Sequence, residues 1–172
     1  MRNQKGFTLI ELIIVIVVLG ILAVTAAPQF INFSNDARAS TVKGLKGALQ
    51  GAYQNIYAKA SIEGELGADG EVNTIETNYG FPKASEAGII DAATLDAYDM
   101  TGTIDESADW AFIIGSSGGV PRIFISPADF IGGLDTTPAS GADASATNCY
   151  ASYTQVNTAD GQPSIDVVTT GC

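Results

Sequence analysis

The stretch KGFTLIELIIVIVVLGILAV, residues 5–24, is apolar almost throughout, yet it carries Glu11. An ionised side chain near the middle of lipid costs about 2.5–3.5 kcal/mol on insertion scales. A chain built only to cross a bilayer has no use for one. The position therefore reads as a site that a partner completes. The apolar run extends from Phe7 to Ala27, long enough to span a bilayer. The basic, acid-free leader MRNQKG precedes it, which predicts a cytoplasmic N-terminus with the remainder outside. Reading AVTAA as the cleavage site of an ordinary signal peptide is the alternative, and Glu11 is out of place in such a core.

Working outward, the charge divides the chain. Through Ala60 there are six basic and two acidic residues; from Ser61 onward there are two basic and seventeen acidic. The total of −11 thus conceals a basic N-terminal third and a strongly acidic remainder, two parts suited to different surroundings. The acidic part, read as a solvated surface, argues against nucleic-acid binding, which needs clustered Lys and Arg. Histidine is absent, so the commonest general base and metal ligand is missing. Cys149 and Cys172 both lie near the C-terminus. Their even count in an exported chain reads as one disulfide, with two free thiols as the alternative.

Beyond Pro28 the pattern becomes amphipathic. Val42, Leu45, Leu49, Ala52, Tyr53 and Ile56 recur at three- and four-residue spacings. Arg38, Lys43 and Lys46 lie largely off that stripe. The prediction is one long helix, apolar all round over 7–28 and amphipathic over 29–60, loosened or bent at Gly20 and Pro28. Residues 61–108 are Gly-rich, acidic and weakly periodic; they read as a connecting αβ-loop region with a short helix around Asp91–Tyr98. Over 109–172 four strand-like runs appear: WAFIIG, RIFIS, CYASYTQV and SIDVVTT. SSGGVP and NTADGQP are their turns, and GGLDTTPASGADASATN links the two hairpins as a loop. The expected fold class is α+β: a four-stranded antiparallel sheet on the amphipathic helix, with Trp110, Phe112, Ile114, Ile123 and Ile125 at alternating core positions.

The residues KGFTLIE, followed by an apolar helix, resemble the processing site of type IV prepilins, of the type IVa subgroup. The resemblance covers about the first third of the chain. LGILAVTAAPQFINFSNDARASTVKGLKGALQGA and YGFPKAS are similar to the mannose-sensitive haemagglutinin (MSHA) pilins. The resemblance implies a leader, residues 1–6, cut between Gly6 and Phe7 by a membrane prepilin peptidase that then N-methylates Phe7. It implies that the Cys149–Cys172 pair bounds the pilin disulfide loop. It implies storage in the inner membrane of a Gram-negative bacterium, then assembly by inner-membrane machinery into an extracellular homo-oligomeric filament. Such filaments serve adhesion and biofilm formation, with a surface or glycan as ligand.

On this reading the new amine at Phe7 lies one helical turn from Glu11, and Glu11 pairs with a neighbour's amine to set subunit register; pairing only within its own chain is the bland alternative. Arg38, Lys43 and Lys46 are candidate inter-subunit contacts. The competing roles are a type II secretion pseudopilin and a minor pilin. Major pseudopilins generally carry a calcium-binding C-terminal loop and no disulfide. Here ADGQPSID offers Asp160 and Asp166 without the dense oxygen ligands calcium needs. No cofactor, metal or catalytic residue is expected. GSSGG at Gly115 lacks the Lys–Ser/Thr pair of a phosphate loop and reads as a hairpin turn.

Overall fold

A computed structural model of the chain describes residues 7–103, 105, 107–131 and 148–172, with backbone alone at 25–32 and 131. The leader 1–6, with Gly6, and the inter-hairpin loop lie outside the described residues. The chain divides into two units, Met1–Ala37 and Arg38–Cys172. Helix α1, Leu9–Glu63, contributes to both and continues through Gly20 and Pro28. In the first unit every described side chain from Phe7 to Val24 is exposed.

The second unit is an α+β body. The predicted stripe of α1 is its packing face: Val42, Leu45 and Leu49 are buried, and Ala52 and Tyr53 lie at the margin of the same core. Against them lie Phe112, Ile123, Ile125, Ala151 and Tyr153 of a five-stranded sheet, with Ile89 and Ile90 from a π-helical turn, Glu86–Ile90. The sheet order is β4 (Ala97–Asp99), β5 (Trp110–Ser117), β6 (Val120–Pro127), β7 (Tyr150–Thr154), β8 (Ser164–Val168). β5 to β8 are the four expected strands, antiparallel to one another in sequence order. β5 and β6 turn through Gly118 and Gly119, with φ of 61° and 81°. A two-residue type I′ turn needs positive φ at both positions, and glycine supplies it without strain. The GSSGG segment is therefore a hairpin tip, as expected.

Three expectations need correction. Residues 61–108 hold structure of their own: a second sheet, β1 (Gly70–Val72), β2 (Ile75–Asn78) and β3 (Phe81–Pro82). Its strands are too short to show periodicity. They are held by long-range bonds: Tyr153 Oη donates to Pro82 O (2.7 Å), Asn78 Nδ2 to Val156 O (2.8 Å), and Ala84 N to Gln155 Oε1 (2.9 Å). Second, the short helix lies earlier than Asp91–Tyr98. Ala97–Asp99 is instead β4, parallel to β5, an edge strand that makes the sheet mixed. Third, Ile114 is exposed. It lies nearer the hairpin tip than Phe112 and outside the core cluster that holds Phe112. Ala111, Ile113 and Phe124 meanwhile bury the sheet's reverse face with Met100.

Near the C-terminus, Cys149 and Cys172 form a disulfide across a 23-residue separation. Both are buried against the core, so the bond fixes a chain end that would otherwise fray. Ser126 Oγ donates to Cys149 O at 2.7 Å, tying the bridge to β6.

Candidate functional site

The N-terminal end of α1 shows why Glu11 stands where it does. Thr8 precedes the first helical residue, Leu9. Its Oγ1 accepts from Glu11 N at 3.4 Å, and Glu11 Oε2 accepts from Thr8 N at 2.8 Å and from Thr8 Oγ1 at 2.7 Å. This reciprocal arrangement is a capping box, in which the N-cap hydroxyl and the carboxylate three residues on satisfy each other's backbone donors. The order Thr-x-x-Glu before an apolar run is its sequence signature. The charge of Glu11 does not by itself reveal Thr8 as its partner; the Thr-x-x-Glu spacing does. Both bonds to the carboxylate land on Oε2; Oε1 has no partner among the described residues. Glu11 is thus held beside the start of α1 with one oxygen unbonded among the described residues.

Phe7, 93% exposed, sits at this tip. The surface behind it is apolar on all sides, Leu9 to Val24, apart from Glu11 and Gly20. Exposed apolar surface on this scale marks a contact site for lipid or protein. Among the described residues no helix is long and apolar enough to cross a membrane. Side chains of the apolar end are described as far as Val24, whereas the sequence stays apolar to Ala27.

The three basic residues separate. Arg38 is engaged within its own chain: its Nη2 lies 3.3 Å from Asp129 Oδ2 and its guanidinium 5.5 Å from the Phe130 ring centre. Both partners sit on the short helix α2, Ala128–Ile131. Lys43 is exposed and Lys46 half-buried, and neither has an ion-pair partner among the described residues. Asp166 accepts from Arg122 Nη2 at 3.5 Å, and Asp160 is exposed. Among the described residues no group of three or more His, Cys, Asp or Glu is arranged to hold a metal ion.

Residues 1–27 match the model of the prokaryotic N-terminal methylation motif. That motif is typical of type IV prepilins, in which it implies processing by prepilin peptidase and anchoring at the inner membrane. The α+β fold is consistent with that of type IV pilins. No solved structure matches the chain.

Proposed function

We propose that this chain is a type IV pilin of the MSHA-like kind, a structural subunit and not an enzyme. Its leader is removed between Gly6 and Phe7, and Phe7 is N-methylated. The helix over 7–28 waits in the inner membrane with the acidic head in the periplasm, then moves into the core of an extracellular filament. That filament attaches cells to surfaces and builds biofilm. Glu11 guides each incoming subunit by pairing with a neighbour's Phe7 amine. The observation that carries the reading is a methylation motif opening an exposed apolar helix whose first turn holds a carboxylate with one oxygen unbonded among the described residues. The disulfide favours a pilin over a major pseudopilin.

Mass spectrometry of protein sheared from cells tests the processing step. The expected N-terminus is Phe7 carrying one added methyl group. Gly6→Val should leave the leader attached, because a side chain at that position obstructs close approach of the protease to the backbone. A sheared protein starting at Met1, or after Ala27, overturns the assignment.

A further inference from the structure

Six cationic side chains lie among the described residues, and four are ion-paired within the chain: Arg38 with Asp129, Lys59 with Glu63, Lys83 with Asp69 and Arg122 with Asp166. The two left over, Lys43 and Lys46, are three residues apart on α1 and so share one helical face. Carboxylates outnumber cations more than twofold in this chain, so two neighbouring lysines without an acid among the described residues are conspicuous. Beside them run Gly44, Gly47 and Gly51. Each weakens the helix relative to alanine. Yet a Cβ at any of the three would meet nothing within 4 Å in the rest of the chain. Nothing among the described residues requires glycine there, whereas the close approach of another backbone would.

A complementary feature lies on the small sheet. Glu71 of β1 and Glu76 of β2 stand directly opposite in the antiparallel register, both exposed. Like charges in this position repel. Lys83 shares their cleft but is committed to Asp69 at 3.0 Å. Helix positions three apart have Cβ atoms about 5–6 Å apart. Directly opposed strand residues have theirs about 4.5–5.5 Å apart. The cation pair and the carboxylate pair therefore match in spacing as well as in sign.

We propose that Lys43 and Lys46 of one copy dock onto the Glu71–Glu76 pair of a second copy, with Gly44, Gly47 and Gly51 letting the two surfaces close. This contact rests on the filament reading above and names the acidic partner in it. It relieves the cross-strand repulsion of one subunit with the unpaired cations of the next. Arg38, satisfied by Asp129, takes no part.

The test is a charge exchange in the full-length chain in cells, read as sheared filament yield against total mature protein. Lys43→Glu with Lys46→Glu should lower the yield at least about tenfold, because it sets four carboxylates against one another. Glu71→Lys with Glu76→Lys should do the same. All four changes together should return the yield to near the unaltered level. Coexpression of the two double variants, each failing alone, should also give filaments containing both chains. Lys43→Glu with Lys46→Glu combined with Asp109→Lys and Asp160→Lys has the same net charge as the fourfold exchange, and it should stay defective. The altered residues are exposed or half-exposed, and blocked thiols in every variant report a folded head. Double variants that assemble normally overturn the contact, as does a fourfold exchange that recovers no better than the charge-matched control. If the unaltered chain forms no filaments, the filament reading falls and takes this contact with it.

Discussion

At the scale of single residues, Tyr153 shows how much one buried polar group holds. Its hydroxyl donates to Pro82 O inside the body, and its ring lies 6.5 Å from that of Tyr53. Tyr153→Phe leaves that carbonyl unpaired and should cost about 1–3 kcal/mol in urea unfolding. Burial, and then the neighbouring Tyr53, push the Tyr153 pKa upward. The folded state therefore keeps a proton that the unfolded state releases. This contribution is fully present below the ordinary tyrosine value of about 10 and is lost as pH rises beyond it. Urea midpoints measured from about pH 9 to 11 should fall more steeply for the unaltered protein than for Tyr153→Phe; equal slopes would contradict the assignment. Thr74 makes the opposite case. It sits at φ 69°, after Asn73 at φ 51°, in the two-residue turn between β1 and β2. A β-branched residue pays about 1–2 kcal/mol for that conformation. Thr74→Gly removes the strain but loosens the unfolded chain by about 0.4–1 kcal/mol. The net expectation is a gain of a few tenths to about 1 kcal/mol, and a fall in midpoint would refute it.

At the scale of elements, the parts legible in the sequence were those with long periodicity. The stripe Val42, Leu45, Leu49 fixed the buried face of α1, and Leu49→Ala should cost about 2–5 kcal/mol in unfolding. The β5–β6 hairpin was legible because two glycines stand between two β-branched runs. The small sheet was not. Phe81 and Pro82 form a two-residue strand whose place is set by Tyr57, Tyr53 and Tyr153, all distant in sequence. Gly80 adds a local demand: its φ is 79°, and a Cβ there would come within 2.6 Å of Leu66 Cδ2. No spacing rule reads such contacts before the fold exists. β4 was missed for the same reason, being three residues long and parallel. At the N-terminal end Glu11 is legible by its charge, and its capping partner Thr8 only by the three-residue spacing between them. The disulfide is an element-scale clamp. Cys149→Ser should destabilise the last hairpin by about 2–5 kcal/mol, with chevron or urea data showing the loss and the apolar helix unaffected.

At the scale of the whole molecule, the account makes Glu11 an assembly group and not merely a cap. The capping box allows the two roles to be separated. Glutamine at the third helical position still accepts from the Thr8 backbone, so Glu11→Gln keeps the cap and deletes the charge. It also relieves the lipid of an ionised group, so poorer membrane insertion is not what a defect would report. What it removes is the attraction between a carboxylate and a neighbour's amine, and losing one partner of a buried pair costs about 3–5 kcal/mol. Leader cleavage reads Gly6 and Phe7 and should be untouched. The direct measurement is the ratio of sheared filament to mature membrane-held protein in cells expressing Glu11→Gln. The account predicts full cleavage at Phe7, a membrane pool at least as large as normal, and filament yield lowered by about a hundredfold. Normal filament yield from the cleaved Glu11→Gln chain would contradict it.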